Sequence, residues 1–144
     1  LTPRARRKAR KELRRPVRRA ARRLARSVEA ARIDGAHDAW HQARKDAKRA
    51  RYTADVARPV FGAALSAWRK RIKALQTELG EHQDAAVALP LLRELGVRAH
   101  LQGGNGFTYG LLHGRQAAYA ADARHRGVDR WHAVTTGTRP AWLR

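Results

Sequence analysis

The residues with the clearest chemical potential in this sequence lie on one face of a predicted helix over residues 36–61. At 100° per residue, seven polar side chains fall within one arc: His37, His41, Arg44, Lys45, Lys48, Arg51 and Tyr52. The Lys and Arg side chains over three helical turns form a row of positive charge about 15 Å long. Arg offers a planar fork to phosphate oxygens, Lys a flexible point charge, and a histidine on the same face a hydrogen-bond donor. The pattern favours a phosphate-rich ligand.

A neighbouring predicted helix adds basic residues of its own. Arg69 and Lys73 lie together beside its apolar stripe, where they would form the second wall of a basic groove. Such a groove suits a linear polyphosphate or the backbone of a nucleic acid. We identify no residues in it that would read bases.

A metal site is a weaker interpretation of the two histidines. His37 and His41 stand four apart, and the intervening sequence superficially resembles the zinc signature HExxH. The signature needs Glu where this chain has Asp38, and it needs a further ligand that no spacing indicates. We therefore expect neither a metal nor a cofactor.

Catalytic interpretations are weaker still. Ser27 and Ser66 have no triad context, and the glycine-rich stretch 103–106 is short and lacks the Walker lysine. The local acidic group comprises Glu78, Glu81 and Asp84. These carboxylates would form either a catalytic set or, as we prefer, a helix cap or an ion pair that orients a basic residue. The sequence predicts a protein that is not an enzyme.

Helical periodicity predicts four helices, at about 4–31, 36–61, 63–95 and 107–126. Pro16 is expected to kink the first helix or to mark a second start, Gly80 to interrupt the third, and Pro90 to kink the run that follows. Because no window alternates like a strand, we predict an all-α fold, an antiparallel four-helix bundle. The bundle is expected over 1–127, with a tail over 128–144. The stretch 96–106 is expected to be a loop, and the stretch from Gly127 onward to be extended, with Trp131 and Trp142 as anchors.

Each helix carries a predicted apolar stripe at three- and four-residue spacing. In chain order the stripes are Leu13, Val17, Ala20, Leu24, Ser27 or Val28, and Ala31; Trp40, Ala43, Ala47, Ala50, Ala54, Ala57 and Phe61; Leu65, Trp68, Ile72, Leu75 and Leu79; and Phe107, Leu111, Gly114, Ala118 and Ala121. The small residues of the second stripe would let a neighbouring helix approach closely.

Composition supports a polyanionic partner. The 144 residues include 32 Lys and Arg against 12 Asp and Glu, a net charge of +20, and residues 1–52 hold 19 of those basic residues and 5 of the acidic ones. Such a surplus repels itself unless an anion neutralises it. Zero Cys excludes disulfides and thiolate chemistry, and no run reaches the roughly 18 apolar residues of a membrane span. The chain starts at Leu1 and contains no Met, which indicates a fragment, a processed form or a trimmed piece.

Three stretches together resemble the CHAD family, the conserved histidine α-helical domain. Residues 40–52 are similar to its H-x-x-R-K-x-x-K-R-x-R-Y helix, residues 72–85 to its K-x-L-Q-x-x-L-G-x-x-x-D segment, and residues 110–114 to a motif of its final helix. The family's domain consists of two similar four-helix bundles and binds inorganic polyphosphate, and this chain resembles the second, C-terminal bundle. The resemblance implies non-catalytic phosphate contacts at His41, Arg44, Lys45, Lys48, Arg49, Arg51, Arg69, Lys73 and His113.

The expected partner is thus inorganic polyphosphate, in the cytoplasm and at polyphosphate granules. The alternative is a basic helical protein that binds nucleic acid, which the Arg-rich first helix would fit. Self-association, or pairing with a missing N-terminal bundle, is also expected.

Overall fold

Four helices in chain order make up the fold, and the computed structural model describes residues 2–143 except for the side chain of Arg6. They are α1 (Pro3–Asp34), α2 (His37–Phe61), α3 (Ala63–Leu101) and α4 (Phe107–Thr136), followed by a short 3₁₀ turn at Ala141–Leu143. Each helix packs against the next, and short connections reverse the chain between them. The described residues form no strand, so the prediction of an all-α antiparallel bundle is confirmed. None of the described helices is both long and apolar enough to cross a membrane.

The core forms where the apolar stripes of the first three helices meet. Val17, Leu24 and Val28 of α1 are buried, and so are the Ala residues of α2 from Ala43 to Ala57 and the α3 stripe from Leu65 to Leu79. Alanine on α2 lets α1 and α3 approach from two sides. These three predicted stripes are confirmed.

Local signals set the helix ends. The hydroxyl of Thr2 accepts a hydrogen bond from the Ala5 N–H at 3.2 Å, with Pro3 at the first helical position. Gly35 ends α1 in the left-handed conformation (φ 71°), where an L side chain would be strained. α1 and α2 are therefore joined by a tight, well-defined turn.

The predicted interruption of the third helix at Gly80 and its predicted end near residue 95 were both wrong. α3 runs without interruption through Gly80 and Pro90 to Leu101, so the expected loop over 96–106 shrinks to 102–106. A glycine inside a helix costs only about 0.5–1 kcal/mol, and burial of neighbours such as Leu79 and His82 outweighs that cost. Glycine alone was a poor indicator of a helix end here.

α4 continues past Gly127 to Thr136, so the prediction of an extended stretch from residue 127 was also wrong. Gly127 is buried, and a Cβ there would lie 3.5 Å from Leu79 Cδ2, so this glycine marks a close approach of α4 to α3. Trp131 anchors the continuation: it is buried, and its Nε1 donates a hydrogen bond to Glu29 of α1 at 2.7 Å. Trp142 packs on Phe61 with ring centroids 4.5 Å apart. Both predicted anchors are confirmed.

The predicted inward face of α4 was wrong as well. Phe107, Leu111 and Ala118 are exposed, while Ala120 and Ala123 are buried. Every residue from 86 to 119 is half-buried or exposed, because there only α3 and α4 pair with each other, beyond the reach of α1 and α2. We call this stretch, residues 86–119, the α3/α4 tip.

Candidate functional site

A row of polar and basic side chains lines the contact between α2 and α3. At one end, His41 Nδ1 lies 3.0 Å from Gln83 Oε1; at the other, the guanidinium of Arg69 donates to the carboxylate of Asp55. Because α2 and α3 are antiparallel, these two contacts fix one register along the whole pair of helices.

The same register places three further pairs level with each other: Arg44 with Gly80, Lys48 with Gln76, and Arg51 with Lys73. The first is supported directly, since a Cβ on Gly80 would lie 3.8 Å from Arg44 Nε. We call this row the α2/α3 seam: His41, Arg44, Lys48, Arg51 and Asp55 of α2 with Arg69, Lys73, Gln76, Gly80 and Gln83 of α3.

The centre of the seam is cationic and lacks compensating acid. Among the described contacts, no carboxylate lies within 4.0 Å of the basic nitrogens of Arg44, Lys48, Arg51 or Lys73. Asp55 is the seam's carboxylate, and it is engaged at the far end by Arg69. The central cations are therefore available to an external anion.

Two of these arginines have buried donors without protein acceptors. The Nε atoms of Arg44 and Arg51 are shielded from solvent and have no hydrogen-bond partner, although the two residues as a whole are half-buried. A buried donor normally finds an acceptor, because leaving it unpaired costs free energy. These unpaired donors add to the uncompensated positive charge of the seam.

Tyr52 organises the exposed edge of the seam. The guanidinium of Arg51 stacks over its ring at 4.6 Å from the centroid, and Lys48 Nζ lies 5.9 Å from the same centroid. These cation–π contacts hold the two cations side by side on the solvent face of α2.

Gln83 sets the orientation of two histidines, and no sequence pattern signals this contact. Its amide oxygen can only accept, so His41 donates from Nδ1, while its amide nitrogen lies 3.1 Å from His37 Nε2. Nε2 is then the ring nitrogen of His41 left to face a ligand.

The remaining predicted site residues lie outside this row. Lys45 and Arg49 are exposed farther round α2, and Arg49 contacts the buried carboxylate of Asp46 at 3.3 Å. His113 is half-buried on α4.

His113 is not brought to the seam. Two contacts between α3 and α4 lie on either side of it: Gly96 is close to Tyr109, and His82 is hydrogen-bonded to the Ala120 carbonyl. His113 therefore lies level with α3 residues beyond Gln83. Helix α4 packs on α3 rather than on α2 at this point.

The acidic group joins α3 to α4. Arg126 Nε donates to Glu78 and its terminal nitrogen to Glu81, both at 2.8 Å, and the Tyr119 hydroxyl also donates to Glu81 at 2.8 Å. The hydrogen bond with Glu78 raises the pKa of Arg126, and the one with Glu81 raises the pKa of Tyr119. Sequence reasoning missed Arg126 and Tyr119, because their partners lie more than a full helix away in the chain.

No metal cluster is formed by the part of the chain that the structure describes, since no three His, Asp or Glu side chains converge. His37 and His41 instead share Gln83 as their hydrogen-bond partner.

The described residues thus form a strongly basic, all-helical bundle with an uncompensated cationic seam. Comparison with known protein families gives the particular assignment: the model of the CHAD domain matches residues 1–93, and the chain belongs to that family. The matched residues include α1, α2 and the whole of the seam.

Curated relatives exist in Mycobacterium tuberculosis. Two proteins, both named as uncharacterized (MT2285 and Rv2226, from two strains), are 38% identical to this chain over 91 residues. The aligned residues cover 62% of this chain and 16% of each relative, so the chain matches only a small part of those proteins. No solved structure gives a significant match.

Proposed function

We propose that this chain binds inorganic polyphosphate along the α2/α3 seam and does so without catalysis. The observation that carries the proposal is the run of Arg44, Lys48, Arg51 and Lys73, for which no acidic partner lies within 4.0 Å among the described contacts. Membership of the CHAD family supports the same ligand.

The dimensions suit a thin, linear anion. From His41 to Arg51 the helix rises about 15 Å, and every three or four residues along it one more donor faces the seam. Phosphate oxygens spaced along a chain can be held by the arginine forks and the lysine ammonium groups in turn. A bare phosphate chain could lie against half-buried arginines that a wide duplex would reach less well.

The seam offers little to a base. Tyr52 is the aromatic residue at its edge, and Arg51 already covers the ring at 4.6 Å. A stacking platform for single-stranded nucleic acid requires free aromatic faces. This favours polyphosphate over a single-stranded nucleic acid as the occupant.

The absence of catalysis is part of the proposal. The carboxylates of Glu78 and Glu81 are both held by Arg126, on the α4 side of α3. They are structural partners and face a different helix from the seam. On this proposal the chain acts where polyphosphate accumulates, in the cytoplasm and at its granules.

The test compares cations inside and outside the seam. Lys48→Glu and Lys73→Glu should each weaken binding of long-chain polyphosphate at 0.15 M salt by roughly tenfold or more, since each loses a charge-assisted contact of about 1.5–3 kcal/mol. Lys70→Glu is the matched control, because Lys70 is an exposed α3 lysine outside the seam. Circular dichroism should show unchanged helix content in all three.

Equal weakening by Lys70→Glu and Lys73→Glu would mean that net charge alone governs binding. Parent-like affinity in both seam variants would show that the seam is only a solvated surface. Either result would overturn the proposal.

A further inference from the structure

The solvent-facing side of α1 carries a second basic surface, distinct from the seam. A groove of about 620 Å³ runs along this helix, lined entirely by Lys11, Arg14, Arg15, Arg18, Arg19, Arg22 and Arg26. All seven are exposed. We call it the α1 groove.

The groove is built from two adjacent ridges of the helix surface. Residues four apart align in a ridge: the first holds Lys11, Arg15 and Arg19, and the second holds Arg14, Arg18, Arg22 and Arg26. Val17, Leu24 and Val28 on the opposite side of α1 are buried in the core and fix the rotation of the helix. The groove therefore points away from the bundle, and it extends over about 22 Å.

No acidic residue lines the groove, and none of its seven cations forms an ion pair among the described contacts. Glu12 borders only the adjoining shallow groove, with Lys11 and Arg15. Like charges at i, i+4 destabilise a helix, and here they recur along both ridges. An anion in the groove would relieve this repulsion.

We infer that the α1 groove docks the phosphate backbone of duplex nucleic acid without reading its sequence. Seven positive charges over about 22 Å amount to one per roughly 3 Å, close to the one phosphate per 3.4 Å of a single strand in a duplex. The groove lies on the exposed surface of one helix, which a duplex can reach from solvent.

The lining chemistry limits what is recognised. The groove contains no Asn or Gln to contact base edges and no aromatic ring on which an unpaired base could stack. Arginine and lysine alone contact phosphates, so binding is independent of sequence and depends strongly on salt.

This site is separate from the seam, so the two ligands can bind together. α1 contacts α2, whereas the seam lies between α2 and α3, and no groove residue contacts a seam residue among the described bonds. The inference does not depend on polyphosphate binding and can fail or hold on its own.

The experiment measures two affinities of two variants by fluorescence anisotropy. The probes are a labelled duplex of arbitrary sequence and polyphosphate. The α1 variant combines Arg15→Gln, Arg18→Gln, Arg19→Gln and Arg22→Gln; the seam variant combines Lys48→Glu and Lys73→Glu. The α1 variant should lose at least tenfold in duplex affinity, and its slope of log K against log salt should fall by about 3.6. It should keep polyphosphate affinity within threefold, and the seam variant should keep duplex affinity within threefold.

A charge-matched control removes four exposed cations from the other helices, by Arg58→Gln, Lys70→Gln, Arg93→Gln and Arg115→Gln. Equal loss of duplex affinity in this control would overturn the inference, since net charge would then explain binding. If the α1 variant lost polyphosphate affinity and kept its duplex affinity, the inference would also be overturned. Hydrogen exchange of the parent protein tests the site without any substitution. Bound duplex should protect the backbone amides of α1 from exchange. Protection confined to α2 and α3 would contradict the site.

Discussion

Gln83 on α3 accepts a hydrogen bond from Nδ1 of His41 on α2 at 3.0 Å, and this contact closes one end of the cationic seam. The bond commits Nδ1 to the protein whether the ring is neutral or charged. Only Nε2 remains to face a ligand. The geometry thus limits His41 to one ligand contact, made through Nε2.

The first prediction concerns that contact. His41→Ala should weaken polyphosphate binding by about two- to tenfold at constant pH, because a hydrogen bond contributes about 0.5–1.5 kcal/mol. Isothermal titration measures the effect, with His125→Ala, at an exposed α4 histidine, as the control. Parent-like affinity in His41→Ala would exclude the role.

The second prediction concerns Gly80. Its α3 backbone is helical, and an added Cβ would meet Arg44 Nε at 3.8 Å, an ordinary van der Waals distance. Gly80→Ala should therefore raise the free energy of unfolding by about 0.5–1 kcal/mol while leaving polyphosphate affinity within twofold. Urea unfolding measures the first quantity. A loss of stability would show that Arg44 packs against this position more closely than the structure indicates.

The third prediction separates the acidic group from catalysis. Glu78→Gln should lower the free energy of unfolding by about 1–3 kcal/mol, because the buried side chain loses its charge-assisted bond with Arg126. Asp84→Asn, at an exposed position, should change stability by less than about 0.5 kcal/mol. Neither change should affect phosphate release from tripolyphosphate with Mg²⁺, which we expect to be absent in the parent. Release that Glu78→Gln abolishes would instead make this protein an enzyme.

The fourth prediction concerns the C-terminal part of α4. A chain ending after residue 127 loses Trp131, Val134 and Leu143 from the core. Removing one buried Trp side chain costs about 3–5 kcal/mol, a large share of the 5–15 kcal/mol typical of a domain. We expect the shortened chain to lose cooperative thermal unfolding, whereas a chain ending after residue 136 keeps it. Cooperative unfolding of both would mean that residues 128–136 lie outside the folding unit.

The fifth prediction concerns the α3/α4 tip. Leu101 and Phe107 are strongly exposed there, at 79% and 72%, and residues 86–119 hold only three Arg and one Glu in an otherwise highly charged chain. Glu94 and Arg98 form an exposed ion pair that an antiparallel second copy could complement, Glu94 to Arg98 and the reverse. We expect self-association through the tip because apolar area is buried where charge repulsion is lowest.

Sedimentation velocity across micromolar concentrations tests this. Leu101→Glu combined with Leu91→Glu should shift the protein toward monomer, and Val56→Glu, at an exposed apolar residue of α2, should not. A parent that is monomeric at every concentration would contradict the prediction.

Local periodicity in the sequence determined the helices and much of the site. Apolar residues three and four apart specified the buried faces of α1, α2 and the first half of α3, since a helix with one apolar stripe can bury it in only one orientation. The same arithmetic placed His41, Lys48 and Arg51 together on α2. The spacing of the motif residues also indicated the CHAD family, and the match of the family model to residues 1–93 confirms it.

Tertiary structure decided which charges remain free and where the last helix faces. Arg69 is neutralised by Asp55, Glu78 is bound by Arg126, and His41 is oriented by Gln83, all through contacts between different helices. The rotation of α4 depends mainly on its packing against α3, so its exposed Phe107 and buried Ala123 reversed the expectation from its stripe. Periodicity describes a helix in isolation, whereas ion pairs and facing surfaces depend on the register between helices, which no local pattern encodes.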